Sequence, residues 1–169
     1  MSYAIRPTLE EDVPFLWEML AYAAHLDEDG PAAPLVSEDP FLQRYVRGWG
    51  RPTDLGFVAV DPGTGKVVGA AWVRLLIGAE QTPSYVDDQT PELALAVHPA
   101  YRGHGVGTQL LLDLLVTARQ RFPAVVLSVR ATNPARHLYE RLGFVVIGTV
   151  VNRVGSTSYT MLRTFHEPS

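Results

Sequence analysis

Between Tyr101 and Gln109 the chain reads Arg102-Gly103-His104-Gly105-Val106-Gly107-Thr108, three glycines and an arginine at the head of an apolar run with helical spacing. Glycines at a strand-to-helix turn let the backbone turn tightly and let several N–H groups converge on one ligand without Cβ obstruction. An anion is the natural partner. The helix end contributes about 0.3 to 2 kcal/mol toward a negative group, and Arg102 can add charge-assisted hydrogen bonds. Spacing argues against two phosphate-binding motifs. A Walker A loop needs Gly-Lys-Ser/Thr, and Gly107-Thr108 has no lysine between; in GxGxxG the third glycine would fall on Thr108 or Leu110. The plain alternative is a glycine-rich turn that binds nothing.

Other chemistries are narrowed by what is missing. There is no cysteine, so a disulfide framework, a Cys-based zinc site and a thiol nucleophile are all excluded. The histidines, His25, His98, His104, His137 and His166, show neither HxxxH nor HExxH spacing, and no metal site is expected.

The elements that must position the glycine turn fit one domain: the chain has 169 residues, 47% apolar and 19% charged. A net charge of −4 argues against a generic nucleic-acid or membrane-surface binder. Met1 to Pro7 lacks a basic start followed by an apolar run, and no stretch approaches the roughly 18 apolar residues of a membrane span, so a cytoplasmic location is expected.

Tyr3 to Ile5 reads as a first strand. Asp12 is the expected cap of a helix with Pro14 in its first turn and Phe15, Leu16, Met19 and Leu20 on its buried face. His25 to Pro40 reads as a loop and Pro40 to Trp49 as a second short helix. Gly56–Asp61 and Lys66–Ile77 form a hairpin over Pro62-Gly63-Thr64-Gly65, followed by a polar loop from Gly78 to Pro91 and a strand from Leu93 to His98. Val106, Leu110, Leu111, Leu114, Leu115, Ala118 and Phe122 define the longest amphipathic helix, and Ala124 to Val129 a buried strand after it. That strand-helix-strand order implies a parallel pair with a crossover. A helix from Pro134 to Leu142 is framed by Asn133 as cap and Gly143 as its left-handed terminator. Phe144–Val151 and Ser158–Phe165 close the chain as a hairpin.

Two segments together resemble the GCN5-related N-acetyltransferase (GNAT) family. Arg102, Gly105 and Gly107 meet its pyrophosphate-loop pattern, Arg/Gln-x-x-Gly-x-Gly/Ala. Asn133-Pro134-Ala135-Arg136-His137-Leu138-Tyr139-Glu140-Arg141-Leu142-Gly143-Phe144 resembles its final helix and following strand. Ile5-Arg6-Pro7 with Glu11-Asp12 is also typical, and the order of elements agrees over nearly the whole chain.

The resemblance implies a single α/β (α+β) domain over residues 1–169 with the GNAT fold. That fold is a mixed, mostly antiparallel sheet of six to seven strands, with a parallel splayed central pair and helices on both faces. Acetyl-CoA would be the co-substrate, its pantetheine arm entering the splay and pairing with backbone near Leu95, Ala96 and Val97. The N–H groups of Gly103, His104, Gly105, Val106, Gly107 and Thr108, with Arg102, would hold its pyrophosphate, and Asn133, Ala135 and Arg136 would also meet CoA. Asn133 lies six residues before Tyr139, where the family often shows seven; from the residues alone it is a helix cap. Tyr139 matches the tyrosine that can protonate the leaving thiolate, a task suited to a phenol of pKa about 10; the alternative is a tyrosine that only packs between helix and sheet.

The attacking amine must lose a proton, so a carboxylate or histidine should face the splay. Glu92 opens the strand that delivers the thioester and is the leading general base; a solvated strand-end glutamate is the plainer reading. His98 competes by position, with termination of the strand before Pro99 as its plainer reading, and Asp87 and Asp88 are the alternative acidic residues, suited to attracting a cationic substrate.

The activity implied is transfer of an acetyl group from acetyl-CoA to a primary amine of a small molecule or peptide in a ternary complex. The competing class is a catalytically silent acyl-CoA-binding sensor. Acceptors in view are amino acids, polyamines, aminoglycosides, protein N-termini and small toxic amines; a homodimer is compatible, and no nucleic-acid or membrane partner is expected. The segments that should shape the acceptor pocket are Tyr22–Trp49 and Gly78–Pro91. Charge is divided accordingly: His98 to Phe144 carries +4 and the remainder −8, which favours an anionic cofactor and, more weakly, a cationic amine.

Overall fold

Prolines and polar caps mark where the helices begin in the computed structural model, which describes residues 3–26, 35–152 and 154–165. Its strands are β1 (Ala4–Pro7), β2 (Leu55–Val60), β3 (Val67–Arg74), β4 (Glu92–Val97), β5 (Ala124–Arg130), β6 (Val145–Val151) and β7 (Thr157–Thr164). Its α-helices are α1 (Val13–Ala23), α2 (Pro40–Gln43), α3 (Val106–Ala118) and α4 (Ala135–Arg141). The strands hydrogen-bond in the order β1-β2-β3-β4-β5-β7-β6, a seven-stranded mixed sheet. Its parallel step is β4–β5, with Glu92 opposite Val126 and the Val126 N–H donating to the Pro91 carbonyl at 3.0 Å. The chain divides into two compact units, Met1–Arg74 with Ala94–Leu115, and Leu75–Leu93 with Val116–Ser169.

In the first unit, β1, β2 and β3 form an antiparallel meander. The turn between β2 and β3 is closed by the Gly65 N–H on the Asp61 carbonyl at 2.7 Å, with Gly65 at φ +73°. Leu16, Met19 and Leu20 of α1 and Leu42 of α2 pack with Val46, Val58, Ala70, Trp72, Ala94 and Ala96 into one apolar cluster. The Trp72 indole N–H, buried with its ring, donates to the Tyr45 carbonyl at 3.0 Å. Gly69 matters for another reason: a Cβ there would lie 3.1 Å from Leu110 Cδ1 and 3.2 Å from the Ala96 carbonyl. Its absence lets α3 lie close against β3.

Asp12 stands at the entry of α1 as expected, but it makes no side-chain cap. Its carboxylate instead accepts from both terminal nitrogens of Arg6, at 2.7 and 3.0 Å, and from the Leu9 N–H at 2.7 Å. A fully charged partner outcompetes the weaker helix N–H groups. The helix expected over Pro40–Trp49 has α-helical form only to Gln43 and continues as turns. Asp39 caps it, accepting from the Phe41 and Leu42 N–H groups at 2.9 and 3.2 Å. The carbonyls of Arg44 and Arg47 in those turns are taken by the Arg74 guanidinium, at 3.1 and 2.6 Å. Residues 27–34, within the loop expected over His25–Pro40, lie outside the described residues.

In the second unit β5 pairs antiparallel with β7 from Ala124↔Thr164 to Arg130↔Ser158, and β7 pairs with β6. The Asn152 side chain organises the β6–β7 turn, its Oδ1 accepting from the Ser156 N–H at 3.1 Å. α4 begins where Asn133 Oδ1 accepts from the Ala135 N–H at 2.9 Å and ends at Gly143, φ +93°. A Cβ at Gly143 would lie 2.6 Å from Arg163 Nε, so both conformation and space demand glycine there.

Candidate active site

The turn that follows β4 is built in steps. The His98 N–H donates to the Val68 carbonyl at 2.8 Å, and His98 Nδ1 accepts from the Ala100 N–H at 3.1 Å, capping the single 3₁₀ turn Pro99–Tyr101. The His98 ring is held edge-on between Tyr22 and Tyr101, with centroids 5.9 and 6.1 Å away. His98 therefore terminates the strand, with Nδ1 already engaged. The chain then passes through Gly103 and Gly105 at φ +81° and +79°, and a Cβ at either would meet no atom within 4 Å. Backbone conformation, not crowding, selects these two glycines, and the space beside them is open.

The Gln109 N–H donates to the Gly105 carbonyl at 3.1 Å. The N–H groups of Val106, Gly107 and Thr108 thus precede the helical ladder of α3. Gly107 is different: a Cβ would stand in ordinary contact, 3.8 Å from Val97 and 4.0 Å from Leu95, which accords with a motif position open to glycine or alanine. Leu95 and Val97 are half-buried while Ala96 faces the core. Arg102 and His104 are exposed. Arg102 Nε donates to the Val97 carbonyl at 3.1 Å, and its guanidinium carbon lies 5.7 Å from the Tyr22 ring centroid. Leu95, Val97, Arg102 and Gly107 are thereby brought together at the end of β4. The cradle of positive-φ glycines, ladder-free N–H groups and an arginine fits a doubly charged pyrophosphate.

Glu92 is not the solvated strand-end residue that its position allows. It is only 5% exposed, and the Thr82 hydroxyl donates to its Oε1 at 2.5 Å. Thr82 Oγ1 in turn accepts from the Ser84 N–H at 3.1 Å, and the Ser84 and Thr160 hydroxyls meet at 3.0 Å. All four residues are buried. Asp87 and Asp88 are exposed; Asp87 Oδ1 accepts from the Gln89 N–H and Thr90 hydroxyl, each at 2.9 Å. Asp88 accepts from the Tyr85 hydroxyl at 2.5 Å, a bond that raises the Tyr85 phenol above its ordinary value.

On α4, Asn133 and Ala135 are joined by the capping bond, and Arg136 lies over the Tyr159 ring at 5.1 Å with Glu140 3.4 Å from its Nε. Tyr139 is 8% exposed and packs edge-on against Phe144, centroids 5.8 Å apart. Burial alone pushes its phenol well above the usual value of 10.0. Near neutral pH it is a protonated donor.

Sequence reasoning missed Thr82, Ser84 and Thr160. A signal for Thr160 lies in β7, where Ser158 and Thr160 alternate with Tyr159 and Met161, placing two hydroxyls on one buried face. Thr82 and Ser84 sit in an aperiodic loop with no such mark. Among the described residues no cluster of three or more His, Asp or Glu comes together, and no helix is long and apolar enough to cross a membrane.

Comparison with known proteins adds to this geometry. Residues 13–144 match the model of the acetyltransferase (GNAT) family. The chain is 32% identical over 132 residues to a mycothiol acetyltransferase of Thermobifida fusca, a match covering 75% of this chain and 39% of that protein. It is 38% identical over 90 residues to the N-alpha-acetyltransferase RimI of Mycobacterium tuberculosis, covering 48% of this chain and 56% of that one. The chain thus spans about half or less of the curated relatives it matches. Among solved structures, a ribosomal-protein-alanine N-acetyltransferase from Brucella melitensis is 26% identical with a TM-score of 0.70, covering 95% of this chain and 99% of that one. The Salmonella typhimurium protein yncA, solved with its cofactor acetyl-CoA, is 23% identical with a TM-score of 0.69, covering 100% and 97%. The family match runs from the first residue of α1 to the threshold of β6 and takes in the glycine turn, Glu92 and Tyr139, and the chain belongs to the GNAT family of acetyltransferases.

Proposed function

We propose that the chain transfers an acetyl group from acetyl-CoA to a primary amine of a small molecule or peptide by direct attack in a ternary complex. The amine nitrogen bonds to the thioester carbonyl carbon, the C–S bond breaks, the amine's proton passes to a base and the CoA thiolate takes up a proton. The observation that carries this reading is the turn from Arg102 to Thr108, where two glycines held at positive φ and an exposed arginine lead into α3. Gly103, His104, Gly105, Val106, Gly107 and Thr108 supply N–H groups to the pyrophosphate, and Arg102 adds its terminal nitrogens. Backbone at Leu95, Ala96 and Val97 pairs with the pantetheine amides, and Asn133, Ala135 and Arg136 meet CoA.

Two side chains carry the proton traffic in this reading. Tyr139, a phenol protonated at neutral pH, donates to the departing thiolate. Glu92 accepts the proton of the amine, directly or through water. Holding both reactants in line supplies rate through proximity. The names of the curated relatives support an amine acceptor of either small-molecule or N-terminal type. Charge reversal at Arg102 tests the phosphate site: Arg102→Glu should weaken acetyl-CoA binding about ten-fold or more in calorimetry, and unchanged affinity would contradict the site.

A sensor that binds acyl-CoA without turnover is favoured by one observation, the near-complete burial of Tyr139 against Phe144. It predicts tight CoA binding, no thiol release with any amine, and no effect of Tyr139→Phe.

A further inference from the structure

We propose that Tyr22 is a positioning residue for Arg102, its ring holding the guanidinium beside the glycine turn with both terminal nitrogens left free for the pyrophosphate of acetyl-CoA. The inference rests on the reading of the Arg102–Thr108 turn as the pyrophosphate site and deepens it. A long exposed arginine loses rotamer freedom when it grips a ligand, and that loss weakens binding unless the side chain is already in place. Arg102 is in place. Its Nε donates to the Val97 carbonyl at 3.1 Å, and its guanidinium carbon lies 5.7 Å from the Tyr22 ring centroid, within the reach of a cation–π contact.

The kind of partner matters as much as the hold. Arg6, Arg74 and Arg136 each meet a carboxylate, of Asp12, Asp54 and Glu140. Arg102 meets none among the described residues, and Nε is the one side-chain nitrogen that it commits to a hydrogen bond with them. A carboxylate would cancel the charge and take up the donors that an anion needs. An aromatic ring does neither: it attracts the cation through its quadrupole and leaves the Nη1 and Nη2 N–H groups to a ligand.

The ring is itself fixed. Tyr22 lies in the last turn of α1 and packs against the apolar cluster that holds Leu16, Met19 and Leu20. It also meets the His98 ring edge-on at 5.9 Å; His98 meets Tyr101 at 6.1 Å, and Tyr101 meets Tyr3 at 6.2 Å, a continuous run of edge-to-face contacts. His98 is pinned in turn by its backbone bond to the Val68 carbonyl and by the Ala100 N–H on its Nδ1. The Tyr22 hydroxyl makes no hydrogen bond among the described residues, so the ring and not the phenol oxygen is what Arg102 uses. Tyr3, Tyr22, His98, Tyr101 and Arg102 all belong to the first compact unit.

Calorimetry with acetyl-CoA and NMR of the arginine side chain test this in the intact protein. Tyr22→Leu and Tyr22→Met keep an apolar side chain against the core and remove the ring. Each should weaken acetyl-CoA binding about two- to five-fold, and Tyr22→Phe should retain full affinity. In an Arg102→Leu background Tyr22→Leu should weaken binding no further, where a merely structural role would cost the same with or without the arginine. Without ligand, the Arg102 Nε–Hε proton, assigned by its loss in Arg102→Lys, should exchange with water about two- to five-fold faster in Tyr22→Leu and at the original rate in Tyr22→Phe. If Arg102→Leu binds more weakly, equal losses in both backgrounds or unchanged affinity in folded Tyr22→Leu and Tyr22→Met would overturn the role of Tyr22. Unchanged exchange would overturn it in any case. Full acetyl-CoA affinity in Arg102→Leu would instead overturn the pyrophosphate reading, leaving the exchange rate to decide whether Tyr22 fixes the guanidinium.

Discussion

The guanidinium of Arg74, fully excluded from solvent, meets the carboxylate of Asp54 through two hydrogen bonds of 3.0 and 2.8 Å. Asp54 Oδ2 also accepts from the Gly50 and Arg51 N–H groups at 3.0 and 2.9 Å, while Arg74 Nη1 donates to the carbonyls of Arg44 and Arg47. One buried pair thus fastens the irregular chain between α2 and β2 to the end of β3. Removing one partner leaves an uncompensated charge in the interior. Asp54→Ala should lower unfolding stability by about 3 to 5 kcal/mol, measured by urea denaturation; a loss below about 1 kcal/mol would contradict this role.

The second ion pair sets a pH dependence. The Arg6 guanidinium beside Asp12 holds that carboxyl below its ordinary value of 3.8. A depressed folded value means that the stabilisation is present above the unfolded value and is lost as pH falls through it toward the folded one. Thermal melts should therefore decline below about pH 4, and Asp12→Asn should be less stable at neutral pH but decline less on acidification. Parallel declines in both proteins would contradict the assignment.

The glycines of the turn separate by conformation. Gly105→Ala forces a side chain to φ +79° and should cost about 1 to 2 kcal/mol together with a weaker hold on acetyl-CoA. Gly107→Ala meets only ordinary contacts with Val97 and Leu95 and should stabilise α3 by about 0.5 to 1 kcal/mol with CoA affinity retained. Equal effects of the two substitutions on affinity would contradict the distinction.

Tyr139 has an alkaline signature. Its phenol is raised by burial in the folded protein, so its contribution to stability is complete below the unfolded value of about 10 and fades as pH rises beyond it. Tyr139→Phe should make the alkaline loss of stability shallower. If the phenol protonates the leaving thiolate, the same variant should bind acetyl-CoA normally and turn over about 10²- to 10⁴-fold more slowly.

What the sequence disclosed follows the range of the forces involved. The Gly103 and Gly105 turn, the Asn133 cap and the Gly143 terminator are local: each is decided by a few neighbouring residues and reads directly from residue type. Asp12 lay where a helix cap belongs, yet its partner is Arg6, which β1 supplies from before the turn. Arg74 and Asp54 are twenty residues apart, and nothing in either neighbourhood marks the pair. Glu92 was legible as a candidate by its place at the head of a strand. Its hydrogen-bonded setting was not, because the donor, Thr82, sits in an aperiodic loop whose Ser84 meets Thr160 far along the chain.

The central claim is acetyl transfer, and thiol release tests it most directly. The protein would be incubated with acetyl-CoA and a panel of amino acids, polyamines, aminoglycosides and peptides with free N-termini. Free thiol would be followed spectroscopically and the acetylated product by mass spectrometry. The account predicts amine-dependent release of CoA thiol, one equivalent per N-acetyl group formed, slowed strongly in Tyr139→Phe and Glu92→Gln. Saturable acetyl-CoA binding with no thiol release across the panel, and no difference in Tyr139→Phe, would contradict it.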